Sequence, residues 1–429
     1  MLHPLSDRHE GTVLHTSNNF DFSPLLPHIT HSHAIIRVPV QHLKTLLPAF
    51  HRDLHDGTDV DQDDPEVLWT SFDNVTSEEI GIVRVPPHHV HRIRRSSSHR
   101  LVISNLQHWI DSLSSMSSEH SDKAHYSSIV PNFRLDQYHN LDEIYEFIKK
   151  LSTRSSGVTA FDIGTTYEGR KLKGVEIVGN ANDATLVWID AGTHAREWIT
   201  PAVALFIMEQ AILSRLPYNL VIVPVMNPDG YDYTWTTDRL WRKNRRPPPR
   251  SGMAASCYGV DLNRNYDISF GGTGSSPSEC SHLYQGPEAL SEPETFATAN
   301  LIWTIRRQVK MYVSLHSFNQ LWASPFAYTK SLTPHHSIHM DVLKEIQTAV
   351  HRSSGILYSI GPLSTSLYVG SGFALDWVYS NAKVVHSYLA ELRDKGYYGF
   401  LLPVDQIIPT SMETWEGIRA GIEKVYGMS

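Results

Sequence analysis

The sequence predicts an α/β protein: a large domain with a mixed, mostly parallel sheet covered by helices on both faces, preceded by a small ferredoxin-like α+β domain. Three observations carry that expectation. Runs such as ATLVWIDA, NLVIVPV and VKMYVSLH are apolar at successive positions, as strands buried on both faces must be. Helix-length segments separate them, the alternation that builds a helix-covered sheet. A polar, Ser-rich tract without periodicity, SLSSMSSEHSDKAHYSS (112–128), interrupts the chain once and divides a short first part from a long second one.

In chain order, residues 1–32 read as an irregular segment. Within 33–112, HAIIRVPV reads as a strand, QHLKTLLPAF as a helix, EVLWTSF and EIGIVRV as strands, HHVHRIRR as a weak helix, HRLVISN as a strand and LQHWIDSL as a closing helix. The order β-α-β-β-α-β is that of a ferredoxin-like sandwich. Residues 113–134 form a linker and 135–429 the larger domain. There LDEIYEFIKKL reads as an amphipathic helix, ATLVWIDA as a strand, ITPAVALFIMEQAIL as a helix, NLVIVPVMNPDG as a strand and turn, EPETFATANLIWTIRRQ as a helix, VKMYVSLH as a strand and AKVVHSYLAE as the last strand.

Composition narrows the function. At 429 residues, with 41% hydrophobic and 19% charged residues, the chain has the balance of a soluble globular protein and the length for two domains or for one large core with an appended smaller one. A net charge of −8 would repel a phosphate backbone, so no nucleic-acid partner is expected. Apolar stretches such as AVALFIM fall far short of the roughly 20 residues that span a bilayer, so no membrane partner is expected either. The first residues, MLHPLSDRHEGTVLHTSNNF, lack the basic start and apolar core of a secretory signal. Cys257 and Cys280, 23 positions apart across a Gly/Ser/Pro-rich loop, fit either one disulfide or two free thiols. His31, His33, His88, His89 and His91 show no ligand spacing and read as surface residues, and Asn74 in NVT fits a glycosylation acceptor.

The chemistry concentrates at strand ends. With 25 His and 20 Glu, chance alone supplies about one His-x-x-Glu, and the sequence contains one, His194 and Glu197. Its position matters more than its existence, because ligands of such sheets sit at the carboxyl ends of strands. His194 and Glu197 follow ATLVWIDA, His316 ends VKMYVSLH and Glu391 ends AKVVHSYLAE. Two imidazoles and a carboxylate are the ligand set of a catalytic zinc, and a second carboxylate can take the proton of its water.

The segments HAREWI, NPDGYDYT, RLWRKNRR, GVDLNRNYD, SLHS, LYVGSGFALDW and ELRDKGYYGFLLPVDQIIPTSMETW follow one another in the order of the zinc metallocarboxypeptidases related to pancreatic carboxypeptidase A. The chain resembles that family from Leu135 to its C-terminus, and 33–112 resembles its inhibitory pro-domain. The resemblance implies one Zn2+ per chain on His194, Glu197 and His316, with Glu391 as general base and acid. Arg242 matches the residue that stabilises the oxyanion, and Asp261 the carboxylate that orients one zinc His. Asn263, Arg264 and Tyr368 match the clamp on the substrate's free carboxylate, for which a guanidinium fork is suited. Arg196, Ser317 and Phe400 match outer substrate subsites, and Phe318 stands where the family commonly has tyrosine. Cys257 and Cys280 match a family disulfide.

Specificity follows from the pocket for the terminal side chain. Leu375 occupies the position where Lys- or Arg-cleaving members carry an acid, and the matched Leu363, Gly370 and Leu389 are also uncharged, so release of apolar or aromatic residues from peptides and proteins is expected. A shifted loop presenting Asp376 is the competing reading. The resemblance further implies a monomeric zymogen, secreted or vacuolar, cut at Lys123 or Arg134 in the linker by a trypsin-like activating protease. Two features depart from the family: a shortened connection between MEQAILSR and LPYNLVIVP, and a longer RRPPPRSGMAAS before Cys257. The competing functional reading is a catalytically silent, metal-binding relative that acts as a peptide-binding or cell-wall-related protein. A serine hydrolase lacks any Gly-x-Ser-x-Gly elbow, and GGTGSSPS fails the spacing of a nucleotide loop.

Overall fold

The computed structural model describes residues 34–39, 66–73, 78–85, 100–103, 105–115, 128–180, 185–214, 216–248 and 257–427. Strands β1 (Ala34–Pro39), β2 (Glu66–Asp73), β3 (Glu78–Val85) and β4 (Arg100–Ile103) form a four-stranded sheet in the order β2-β3-β1-β4, every pair antiparallel. Helix α1 (Leu106–Ser115) follows, so its end runs into the Ser-rich tract. The helices expected over 41–50 and 88–95 lie outside the described residues, as do Asn74, Lys123 and the five histidines named above.

The larger part begins with α2 (Leu141–Arg154), which a capping box opens: the Asn140 side chain accepts from Glu143 N, and the Glu143 carboxylate accepts from Asn140 N. Next come β5 (Val158–Thr165), β6 (Lys171–Ile177), β7 (Leu186–Asp190), α3 (Ile199–Ser214), β8 (Asn219–Val223), α4 (Pro228–Thr236) and α5 (Pro293–Ile305). They are followed by β9 (Val309–His316), β10 (Leu321–Ser324), α6 (His336–Ser354), β11 (Ser359–Pro362), α7 (Ala374–Ser380), β12 (His386–Glu391) and α8 (Ile407–Tyr426). The eight strands make one sheet, β11-β10-β12-β9-β7-β8-β6-β5, whose four central members β12, β9, β7 and β8 run parallel.

Alternate residues of the central strands feed two cores. Val187 and Ile189 of β7 pack with residues of α2, α3, α6 and α8, whereas Leu186 and Trp188 pack on the other face with Ala299 and Ile302 of α5 and Trp377 and Val378 of α7. Both faces are therefore covered, which explains the uninterrupted apolar runs. Helix α3 is buried over most of its surface and has no polar stripe. It ends at Ser214, and β8 begins at Asn219.

The structure shifts two boundaries. NPDG is no free turn: Asn227 accepts from Gly230 N as the N-cap of α4, with Pro228 in its first turn. AKVVHSYLAE pairs as a strand only from His386, and Ala382 and Val384 pack in the core before pairing begins.

Candidate active site

The parallel register brings three strand ends level. Glu391 of β12 lies opposite His316 of β9, and Ser314 of β9 lies opposite Asp190 of β7. Between β7 and α3 the chain makes a tight turn in which Glu197 N donates to His194 O, while Ala195 N donates to Arg242 O. That turn puts His194 and Glu197 on one side, facing His316.

His316 Nδ1 is 3.2 Å from His194 Nδ1 and 3.3 Å from Glu197 Oε2. Ligand atoms bound tetrahedrally at about 2.0–2.1 Å are about 3.3 Å apart, so these two edges already fit a zinc ion. The third, His194 Nδ1 to Glu197 Oε1 at 2.7 Å, is a direct hydrogen-bond length and must open slightly to admit one. All three residues are buried, and among the described residues theirs is the one His/Cys/Asp/Glu group of three that could hold a metal ion.

Each imidazole is held from behind. His194 Nε2 donates to Asp261 Oδ1 at 3.2 Å. His316 Nε2 donates to Ser314 Oγ at 3.1 Å, and that hydroxyl donates to Asp190 Oδ1 at 2.6 Å. With the outer nitrogens protonated, both inner Nδ1 lone pairs face the same point. Burial pushes the His316 imidazole down and keeps it neutral, as a ligand must be.

Asp261 is fully buried and also accepts from Arg242 Nε at 3.0 Å and Nη2 at 2.8 Å. Burial alone would raise its carboxyl, but the Arg242 and Arg264 guanidinium groups and His194 outweigh burial and hold it well below the usual carboxylate range. Glu391 goes the other way: burial, then the Glu197 charge, push it well above that range. A group that accepts and returns a proton is served by such a shift.

Arg264 is 1% exposed and gives Nε to Gly274 O, Nη1 to Asn263 O and Nη2 to the Tyr368 hydroxyl at 3.2 Å. Asn263 Oδ1 accepts from Ala374 N, tying this turn to α7. Leu363, Leu375 and Leu389 pack in one apolar cluster with Phe373. The Asp376 carboxylate is taken up by the backbone: it accepts from Ala327 N and Tyr328 N, and burial pushes it up to about 7. On the opposite side the Arg196 guanidinium lies 4.0 Å from the Phe400 ring, Arg239 bonds the carbonyls of both residues, and Ser317 N donates to Glu197 Oε2. Cys257 and Cys280 form a disulfide.

Among the described residues, His194, Glu197, His316, Asp261, Arg242, Asn263, Arg264 and Tyr368 are thus linked by direct contacts, with Glu391 level with His316. Four others that sequence reading does not single out contribute: Asp190 and Ser314 behind His316, Arg239 behind Arg196 and Phe400, and Phe373 beside Arg264. A signal existed for Asp190, the only charge in the apolar strand LVWID.

A sequence profile described as "Zinc carboxypeptidase" matches residues 144–417. The chain is 38% identical over 306 residues to carboxypeptidase A2 of Rattus norvegicus, covering 68% of this chain and 72% of that one. It is 38% identical over 294 residues to carboxypeptidase B of Astacus astacus, covering 66% of this chain and 95% of that one. Among solved structures, carboxypeptidase A of Helicoverpa armigera superposes with a TM-score of 0.74 at 27% identity, over 94% of this chain and 99% of that one. With a buried His-Glu-His group at the strand ends of this sheet, the chain belongs to the zinc carboxypeptidase family.

Proposed function

We propose that this zinc carboxypeptidase releases apolar or aromatic C-terminal residues from peptides and proteins and is made as a zymogen, with 33–112 holding it silent until the linker 113–134 is cut. The observation that carries the catalytic reading is the pairing of Glu391 with His316 beside the buried ligand group. His194, Glu197 and His316 would hold the zinc ion, which when bound would supply Lewis-acid chemistry for hydrolysis of the peptide bond. Glu391 accepts the water's proton and returns it to the leaving amine. Arg242, fixed by Asp261, meets the negative charge that develops on the carbonyl oxygen. Arg264 has three of its five N–H groups engaged, which leaves two for the substrate's free carboxylate, with Asn263 and Tyr368 beside it.

The apolar preference is supported by an uncharged cluster around Leu375 and by Asp376 being spent on backbone N–H groups. The zymogen is supported by a second apolar cluster that joins Ile35, Ile82, Ile103 and Leu106 to Leu240, Phe400 and Leu401, with Trp109 and Phe318 at its margin. The N-terminal sheet thereby sits against Phe400, an outer subsite residue. Trp109 Nε1 donates to Leu401 O, and Arg84 pairs with Asp238 at 3.0 Å. The disulfide favours an oxidising location, secreted or vacuolar, and the reading takes the chain as a monomer cut by a trypsin-like protease.

The test is peptide hydrolysis by trypsin-treated protein, with and without a chelator, alongside Glu391→Gln. Chelation should abolish turnover reversibly and Glu391→Gln should lower kcat at least about a hundredfold. Metal-independent cleavage, or an unimpaired Gln variant, sinks the mechanism, and equal activity before and after a confirmed linker cut sinks the zymogen.

A further inference from the structure

We infer that Phe373 sets the size of the terminal side chain, so that this enzyme releases small aliphatic residues such as Ala and Val in preference to Phe or Trp. The inference rests on the proposed release of apolar residues and narrows it. The Phe373 ring lies 4.4 Å from the Arg264 guanidinium and 6.4 Å from the Tyr368 ring. A residue whose carboxylate is gripped by that clamp must place its side chain next to this ring.

The same ring belongs to the apolar cluster of Leu363, Leu375 and Leu389. Those leucines are at most 1% exposed and Phe373 is 3% exposed, whereas Tyr368 at the mouth is 44% exposed. The protein's own atoms cover the lining, and the six-membered ring of Phe373 is the largest group there. Gly370 confirms how tightly it is seated: a Cβ at that position would lie 2.6 Å from Phe373 Cε2 and 3.2 Å from Cζ, so a side chain at 370 and the ring exclude each other.

Phe373 has little freedom to withdraw. On one side of it Gly372 has φ +75°, and a Cβ there would lie 2.1 Å from Arg264 O; on the other, Ala374 N is bonded to Asn263 Oδ1. The backbone carrying the ring is thus fastened to the clamp at both neighbours. Seating a second aromatic ring would require turning Phe373 off Arg264, while a methyl or isopropyl group asks for far less displacement.

The experiment compares trypsin-treated, zinc-loaded protein with Phe373→Gly and the more conservative Phe373→Leu on acylated dipeptides ending in Ala, Val, Leu, Phe, Trp and Arg. Binding of the same peptides to Glu391→Gln gives a readout independent of turnover. The wild type should process Val at least about tenfold faster than Phe in kcat/KM, and Phe373→Gly should raise Phe by at least about tenfold, with Phe373→Leu between. Wild-type preference for Phe over Val, or an unchanged Val-to-Phe ratio in either folded variant, overturns the size rule and leaves the apolar reading standing. Turnover led by the Arg peptide overturns both. If no peptide is cut, the catalytic reading falls while the binding order still decides the size rule, and a protein that binds none of them overturns both.

Discussion

Asp261→Asn tests the site most sharply, because one buried carboxylate serves three partners. Its Oδ1 accepts from His194 Nε2 and Asn263 N, its Oδ2 accepts twice from Arg242, and Arg264 Nη1 stands 3.9 Å away. Asn preserves the size but removes the charge, and its NH2 must face an N–H donor whichever way it is turned. Three losses of different magnitude should follow. Arg242 loses its hydrogen-bonded counter-ion and keeps only the Glu197 carboxylate at 4.0 Å, which costs up to about 3–5 kcal/mol of stability. His194 loses the acceptor that orients it, which weakens zinc binding by about 10–100-fold. Arg242 loses its bidentate anchor, which lowers kcat by about 10²–10³ even when zinc is saturating. Urea unfolding, zinc competition against a chelator, and kcat at excess zinc measure the three separately. Zinc affinity within about twofold of wild type together with an unchanged kcat would falsify the role given to Asp261.

Other perturbations address other parts of the molecule. Trp109→Ala removes a hydrogen bond to Leu401 O and a ring stacked on Tyr398 at 5.7 Å, together about 2 kcal/mol. Peptide hydrolysis by the uncut chain should then rise while the trypsin-cut enzyme is unaffected; no rise would detach the N-terminal sheet from control of the cleft. Glu294 is buried with no partner for Oε1, and burial raises it from the ordinary 4.5 to about 8. Its folded-state value is the higher one, so stability is full below pH 4.5 and declines as pH climbs to about 8, by a total on the order of 5 kcal/mol. Glu294→Gln should flatten that decline in urea titrations at pH 5 and pH 8.5, and an equally steep decline in the variant would assign it elsewhere. Replacing Cys257 and Cys280 by serine opens a loop of 23 residues and should cost about 3 kcal/mol, with KM rising more than kcat falls because the loop carries Arg264 and its acceptor Gly274; equal stability in urea would contradict this.

The central sheet was legible because strands covered on both faces leave continuous apolar runs, and VKMYVSLH appears with both its ends intact as β9. The ligand group was legible for the same reason: once the strand ends are known, His194, Glu197, His316 and Glu391 fall on one edge. Strands β10 and β11 are four residues each, too short for any period to emerge. Helix α6 does bury His339, Val342, Leu343, Ile346 and Val350 at helical spacing, but its stripe starts with a histidine in a polar stretch. Supporting residues were least visible. Ser314 works only through a hydroxyl between His316 and Asp190, and that relation exists only after β7 and β9 pair. Phe373 reads as one more apolar residue until its ring is seen against a guanidinium.

The local geometry also explains why such a site should count residues from the end of a substrate. Asp261 is the N-cap of a single 3-10 turn, Leu262–Arg264, and its carboxylate holds both His194 and Arg242 at the reacting end. Arg264, three residues on, is the proposed fork for the free carboxylate. A 3-10 turn advances about 2 Å per residue, so the two ends of this device are separated by about 6 Å of backbone closed by its own hydrogen bonds. Both Arg264 N to Asp261 O and Asn265 N to Leu262 O are present, and Asn263 between them is tied to α7. A span so short and so constrained cannot stretch to accept one more residue beyond the scissile bond. The fork leaves no room for an uncharged end, because a C-terminal amide would set an NH2 against N–H donors. Amidated peptides should therefore resist hydrolysis even when their last side chain is the favoured one, a loss that originates in the turn and not in the pocket.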